Sequence, residues 1–518
     1  NKILSTFKNT KKVAIRSSSL NEDTDNLSMA GAYQSFLNIK LIENSLIDGI
    51  ENVISSFDAS QKNQVLIQEM VNNVIMSGVV MTKVLDDGSP YYVFNYDDTS
   101  GKTDSVTSGN SINKTVYIYN GVTDLDFDSK LLLNVLKLVQ SLENTFSDIP
   151  IDIEFAVDKN QKIQLLQVRK ITTKSNWDKN IHNQISSRFD YLKSFIQNIM
   201  KKRINIYGSK TTLGIMPDWN PAEMIGVVPQ PLASSLYREL ITKRVWSRAR
   251  EVMGYRKMPN IDLMISLYGR PYIDVRNSIN SFLPAGLKNE ISEKIVNAYI
   301  NRLDNDPHLH DKLEFEVVLT SYDFQIDEKL KMWYENILTS AEEDEYKGLL
   351  RELTINAINK NDNNTLDKAL SDIEYLKTIQ NDIEKIHNHE IMFIIDKIKT
   401  LLEECKQYGT LPFSIIARHA FIAESLLRSL VDCRVIEKER IALFKKSFST
   451  IAGEMSSHLY QLNSGEINKE TFFSTYGHLR PSSYDILSQR YCDRKNIFDG
   501  DVVEPVSLEK FELTNQEV

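Results

Sequence analysis

In the run PIDIEFAVDKNQKIQLLQVRK (150–170), apolar and polar residues alternate at the period of a β-strand. Ile151, Ile153, Phe155 and Val157 therefore share one face, and Asp152 and Glu154 the other. A turn at DKNQ (158–161) brings the second half back alongside the first. In that register Asp152 lies opposite Gln167 and Glu154 opposite Leu165, which makes Glu154 and Gln167 diagonal neighbours. A carboxylate and an amide oxygen side by side are hard ligands of the kind Mg2+ accepts, together with water and nucleotide phosphates. Arg169 projects on the same face, and its planar fork suits phosphate oxygens. Spacing alone also fits a solvated hairpin face with a rim ion pair.

A second group sits in KKVAIRSSSLNEDTDNLSMAGAYQSFLN (11–38). A short apolar strand ends in Arg16, followed by Ser17, Ser18 and Ser19, an acidic turn and the small residues around Met29-Ala30-Gly31. Small residues let backbone approach a polyphosphate closely, although the same letters describe a strand running into a turn. No Walker-type or GxGxxG glycine pattern occurs. In GIMPDWNPAEMIG (214–226), Asn220 precedes Pro221 and Glu223 follows three residues later, the pattern of an N-cap, a first-turn proline and a capping-box acid. Such a helix start also offers free amides to a substrate carboxylate, while Asp218 and Glu223 are placed to receive an ammonium. Two further polar clusters are candidates for the substrate: Asp274 and Arg276, expected two apart on one strand face, and His478 with Arg480 in YGHLRPSSYD. The HxH pairs His308/His310 and His387/His389 lack a third ligand at metal-site spacing.

These groups must be positioned by a chain of 518 residues, long enough for about three domains. Its 61 Lys+Arg against 70 Asp+Glu leave a net charge of −9, which argues against nucleic acid or an anionic membrane surface as partner. Three unclustered cysteines point to a reduced, cytoplasmic protein, and no run reaches the ~18 apolar residues of a membrane span. Strand-like runs at 13–19, 64–71, 78–85, 90–98, 114–120, 152–158 and 162–169, with helices near 44–57 and 128–146, predict an α+β region. Residues 308–411 contain no proline, between 287 and 408 the only glycine is Gly348, and apolar residues recur at helical spacing at 391–405 and 421–431. The expected division is 1–172 nucleotide-binding, 173–305 an irregular α-rich substrate module, and 306–518 helical.

Taken in order, VAIRSSSLNEDTDNLSMAGAYQSFLNI (13–39), QEMV (68–71), SGVVMT (77–82) and DIEFAVDKNQKIQLLQVRK (152–170) resemble the nucleotide-binding domain of phosphoenolpyruvate synthase and pyruvate phosphate dikinase, an ATP-grasp domain. The resemblance implies that Arg16 and Arg169 act catalytically on ATP phosphates and that Glu154 and Gln167 hold Mg2+. It also makes Gln68, Glu69, Met70 and Val71 the hinge against adenine, and ATP and Mg2+ the expected cofactors. Family members carry a further N-terminal lobe with a phosphate-binding lysine, and a swivelling domain whose histidine stands in a Thr-Ser-His setting. None of His182, His308, His310, His387, His389, His419, His458 and His478 has that context, so the ATP-grasp domain is expected to be incomplete and the carrier histidine to lie beyond Val518. GIMPDWNPAEMIG, PLASSLYRELIT, PYIDVRNSINSF and YGHLRPSSYDI are similar to the central domain of the capsule-biosynthesis subgroup typified by L-glutamine kinase. That likeness implies ATP conversion to AMP and phosphate with phosphorylation of the glutamine amide nitrogen. Phosphoenolpyruvate synthase, a rifampin-type phosphotransferase and a non-catalytic nucleotide-binding module are the alternatives.

Overall fold

The chain divides into two units, Asn1–Tyr191 and Leu192–Val518. The computed structural model describes all residues except 1, 8–10, 19–22, 25–26, 29–34, 58–62, 104–113, 122–128, 147–148, 172–181, 360–363, 385–389, 481–487, 495–509 and 515–518.

The first unit opens with α1 (Lys2–Thr6), β1 (Lys12–Ser18), a small pair formed by β2 (Asp23–Thr24) and β3 (Leu27–Ser28), β4 (Phe36–Lys40), α2 (Glu43–Ser55) and β5 (Gln64–Glu69). β1 lies between β4 and β5 in a three-stranded antiparallel sheet, with Arg16 across from Leu66. Val13 and Ile15 of β1 are fully buried against Leu46 and Val53 of α2. This apolar face fixes which way β1 faces, since side chains alternate along a strand.

A second, five-stranded antiparallel sheet follows: β6 (Val74–Met81), β7 (Tyr91–Asp97), β8 (Lys114–Tyr119), β9 (Ile151–Asp158) and β10 (Ile163–Lys170), in the order β10-β9-β6-β7-β8. Between β8 and β9 runs α3 (Lys130–Thr145), whose Ser129 N-cap accepts from Leu132 N at 3.4 Å. Leu132, Val135, Leu136 and Val139 of α3 pack on Met76, Val80, Phe94, Ile153 and Phe155. The expected strands and both expected helices are present to within a few residues at each end. One face of this sheet is thus committed to the core, which turns Asp152, Glu154, Gln167 and Arg169 to the other. Gly78 lets β6 and β7 close up, because a Cβ there would stand 2.4 Å from the Asn95 carbonyl oxygen.

α4 (His182–Met200) starts in the first unit and ends in the second. The second unit continues with β11 (Leu213–Gly214), α5 (Pro221–Ile225), α6 (Pro231–Tyr237), α7 (Val245–Val252), β12 (Met264–Leu267), β13 (Arg270–Asp274), α8 (Val275–Ser281) and α9 (Asn289–Asn305). Then come α10 (Ile326–Tyr334), α11 (Ser340–Ile358), α12 (Thr365–Glu384), α13 (Ile391–Glu404), α14 (Leu411–Asp432), α15 (Lys438–Lys446), α16 (Ile451–Ser464) and α17 (Lys469–Tyr476). The glycine-poor block is helical as its spacing predicts, with α11 opened by a Thr339/Glu342 capping box. Among the described residues, π-helical turns follow α6 at Arg238–Thr242 and join α13 to α14 at Cys405–Thr410, and a further one stands alone at Leu313–Val317.

The expected boundary at 305/306 does not divide this unit. One core runs through Val275, Ile279, Val296, Tyr299, Leu313, Leu350, Ile415 and Ile422, on both sides of that position. The first boundary falls at 191/192 rather than 172/173. Among the described residues, no helix is long and apolar enough to cross a membrane.

Candidate functional site

β1 and the β9–β10 hairpin bring four of the expected site residues together in the first unit. Arg16 Nη1 donates to Glu154 Oε2 at 3.1 Å and to Gln167 Oε1 at 3.4 Å, and Arg169 Nη2 reaches the same Gln167 oxygen at 2.9 Å. The Arg16 and Glu154 side chains are only 15% and 20% exposed, so this is not a solvated rim pair. The Gln167 oxygen therefore sits between two guanidiniums, and the Glu154 carboxylate pairs with that of Arg16.

The hairpin register differs from the expected one. Gln167 stands directly opposite Glu154, and Arg169 opposite Asp152: the turn already offsets the pairing by one residue, with Leu165 opposite Phe155, and a β-bulge between Leu165 and Gln167 offsets it by one more. The extra residue, Leu166, offers its carbonyl to Gln68 Nε2 at 3.3 Å, which ties the end of β5 to the same hairpin. A strict two-residue alternation cannot foresee a bulge, and without it Gln167 would have been displaced from Glu154. Of the expected hinge, Gln68 and Glu69 end β5, Met70 N donates to Lys12 O at 3.3 Å, and Val71 follows outside the strand. Ser17 and Ser18 lie on β1, whereas Ser19 and Met29-Ala30-Gly31 fall outside the described residues.

The fit of a polyphosphate and a divalent cation can be judged from what these residues leave unmet. Among the described residues, Arg16 Nε and Arg169 Nε are buried without a hydrogen-bond partner, as is Asn95 Oδ1. Asn95 lies across from Val79, itself across from Glu154, and so joins the same sheet face. Buried donors left open on two guanidiniums match a ligand rich in acceptor oxygens. Glu154 and Gln167 supply two hard oxygens of the about six that Mg2+ takes, the remainder coming from phosphate and water. The residues present fit the pair. Asn95 was legible only as a polar residue inside PYYVFNYDD, with nothing local to single it out.

The second group of expected residues lies in the second unit. Asn220 caps α5 as expected, its side chain accepting from Glu223 N at 3.1 Å, but with left-handed backbone (φ 43°) instead of the extended conformation usual at an N-cap. α5 is five residues long, so little dipole accumulates at its start. Both oxygens of Asp218 are held by Arg250, through Nη1 at 3.0 Å and a second, shorter contact from Nη2, and Ser278 Oγ donates at 2.6 Å. The expectation that Asp218 receives a substrate ammonium is corrected accordingly: its charge is spent within the protein. Asp218, Asn220 and Glu223 nevertheless line one cavity of about 270 Å³ with Trp219, Arg250, Glu314, Phe413 and Arg418.

Asp274 and Arg276 do not share a strand face. β13 ends at Asp274, which caps α8 by accepting from Asn277 N at 3.3 Å, and Arg276 lies in the first helical turn. The Arg276 guanidinium, fully buried, donates to the carbonyls of Ile199, Lys201 and Gly208 at 2.8, 3.0 and 3.3 Å, satisfying backbone at and beyond the end of α4. Asp274 accepts from Thr211 Oγ1 at 2.5 Å and pairs with Arg203 at 3.4 Å. An Asp with a helix-start hydrogen-bond pattern two residues before Arg was the signal missed. His478 is exposed after α17 and Arg480 Nε donates to Ser488 O at 3.0 Å; neither lines the cavity. His387 and His389 fall outside the described residues.

Residues 1–119 match the family described as pyruvate phosphate dikinase, AMP/ATP-binding domain. That span contains Arg16 and Gln68–Val71, while Glu154, Gln167 and Arg169 lie outside it. The chain is also 30% identical over 210 residues to the uncharacterized phosphotransferase YvkC of Bacillus subtilis (strain 168), an alignment taking in 32% of this chain and 24% of that protein. The chain thus spans about a quarter of the length of the curated relative it matches. Both findings support a relation to the phosphoenolpyruvate synthase and pyruvate phosphate dikinase family, with an ATP-binding region at the start of the chain.

Proposed function

We propose that the first unit is the nucleotide-binding part of an ATP-dependent phosphotransferase of this family, with an ATP-grasp fold in which Arg16 and Arg169 hold the polyphosphate and Glu154 and Gln167 hold Mg2+. The observation that carries the reading is the meeting of Arg16 with Glu154 and Gln167 across two sheets, with donors on both arginines left open. When bound, Mg·ATP supplies an activated phosphoryl group whose charge the cation helps to neutralise. The chain's own residues provide positioning and charge. Arg16 and Arg169 would hold the phosphate oxygens, Glu154 and Gln167 keep two oxygens fixed by the hairpin, and by the family resemblance Gln68–Val71 would form the hinge against adenine.

In this reading ATP becomes AMP and phosphate, and one phosphoryl passes through a histidine on a further domain to a small acceptor in the cytoplasm. The similarity of 214–226, 231–242, 271–282 and 476–486 to the capsule-biosynthesis subgroup supports L-glutamine, phosphorylated on its amide nitrogen, as that acceptor. The test begins with calorimetric titration of the chain with ATP in the presence and absence of Mg2+. Binding that requires Mg2+ and disappears in Glu154→Ala and Arg169→Ala is expected. Undiminished binding in both variants overturns the assignment. Assays of AMP release by the uninterrupted polypeptide with glutamine, pyruvate or rifampin then separate the acceptors, and ADP as sole product rejects the histidine relay.

A further inference from the structure

The cavity in the second unit holds two buried arginines in different states of satisfaction. Arg250 is neutralised by Asp218, hydrogen-bonds Ser281, and stacks its guanidinium 3.8 Å from the Phe282 ring centroid. Arg418, only 6% exposed, has no such counter-ion. Its Nη2 donates to Thr320 Oγ1 at 3.2 Å, its guanidinium lies 5.3 and 4.8 Å from the Phe282 and Phe421 ring centroids, and its Nε is buried with no hydrogen-bond partner among the described residues. Among the described residues no carboxylate comes within ion-pair distance of it. A buried cation left without an anion is costly, and the neighbouring open space is where an anion can reach it.

Glu314 also faces this space, carried on the π-helical turn Leu313–Val317, a kind of irregularity that recurs at functional sites. Its carboxyl is pushed up to about 7, first by burial and then by the Asp218 charge, against the opposing pull of Arg418 and Arg250. Trp219, Phe413 and Phe421 give the cavity flat apolar walls. With Asp218 and Arg250 cancelling, the unbalanced charge of the interior is that of Arg418. Glu223, exposed at α5, is the remaining acidic group on the lining.

We infer that this cavity binds a small organic monocarboxylate, its carboxylate paired with Arg418, its flat or apolar body held between Trp219, Phe413 and Phe421, and Glu314 beside it. At about 270 Å³ the space suits a metabolite rather than a drug-sized molecule. Binding rests on the cavity alone and stands whether or not the first unit takes nucleotide. That the bound carboxylate is a phosphoryl acceptor would rest on the proposed function as well.

A ligand anion placed next to Glu314 favours its neutral form, so binding takes up a proton whenever Glu314 is ionised beforehand. Affinity is then level below pH about 6 and falls up to tenfold per pH unit above about 7. The test is calorimetry on the whole chain without nucleotide, using benzoate, phenylacetate and L-glutamine as probes and benzamide as an uncharged control, at pH 6, 7 and 8.5. At least one carboxylate is expected to bind where benzamide does not, with affinity dropping at least tenfold from pH 6 to 8.5. Arg418→Met should abolish binding, and Glu314→Gln should bind at pH 8.5 at least tenfold more tightly than the wild type. If Arg418→Met does not fold, judged by circular dichroism, the Glu314→Gln titration decides. Absence of binding by every carboxylate, equal binding of benzamide, or pH-independent binding in the wild type overturns the inference. Loss of ATP binding in the first unit leaves it untouched.

Discussion

Replacing Glu154 by alanine tests whether the Arg16–Glu154 contact is a ligand site or a structural clasp. At 3.1 Å the attraction between the two charges is about 5 kcal/mol at an effective dielectric of about 20, and about 1 kcal/mol at that of water. The 15% and 20% exposure places the pair nearer the first limit, and desolvation offsets most of it. Glu154→Ala should therefore destabilise the first unit by about 1–2 kcal/mol, leaving Arg16 half-buried and unpaired, and Arg16→Ala by a similar amount. The double variant should lose less than the sum, with a coupling of about 1–2 kcal/mol in a double-mutant cycle followed by urea unfolding. A clasp predicts nothing further. A cation and phosphate site predicts in addition that Glu154→Ala weakens Mg-dependent ATP binding at least 100-fold, about 2.7 kcal/mol, and that Glu154→Gln, which keeps an oxygen but not the charge, falls between. ATP affinity unchanged in Glu154→Ala while stability drops as stated would reduce the contact to a clasp and refute the site.

Breaking the Asp218–Arg250 pair with Asp218→Ala should cost about 3–5 kcal/mol in unfolding experiments, since Arg250 is buried and would keep its charge. Gly78→Ala should destabilise the five-stranded sheet by about 1–3 kcal/mol, because the Asn95 carbonyl and Tyr96 Cα stand in the way, whereas Gly348→Ala in α11 meets nothing within 4 Å and should stabilise by up to about 1 kcal/mol. Glu314, whose folded-state pKa is raised to about 7 from the model-peptide range, holds a proton in the native state that the unfolded chain has released. Stability should hence decline as pH rises from about 4.5 to about 7, and the thermal midpoint of Glu314→Gln should lack that decline. A wild-type midpoint flat across that window would remove Glu314 from the account. Arg276→Met should expose its effect in hydrogen exchange at the end of α4, where the Ile199 and Lys201 carbonyls lose their donor.

Much of the first unit could be read before folding because its information is local. Alternation in DIEFAVD and QVLIQEMV places side chains on faces, and the α3 stripe of Leu132, Val135, Leu136 and Val139 repeats at helical spacing. The candidate metal pair followed from the same alternation. Its register did not, since a bulge is an event on one strand that only the partner strand reveals. In the second unit the same reasoning misplaced Arg276, where a strand hands over to a helix within two residues. It also passed over Arg418 and Glu314, which carry no distinguishing neighbours in sequence.

The chain's own letters determined periods, caps and breaks, hence the α+β beginning and the helical remainder, because those depend on interactions within a few residues. Tertiary structure decided everything that joins distant segments. Arg16 meets Glu154 across 138 positions, and Asp218, Arg250 and Arg418 share one cavity although loops and whole helices separate them. Whether a charge is paired, buried or left open depends on which surfaces the cores press together, and no local pattern of residues encodes that.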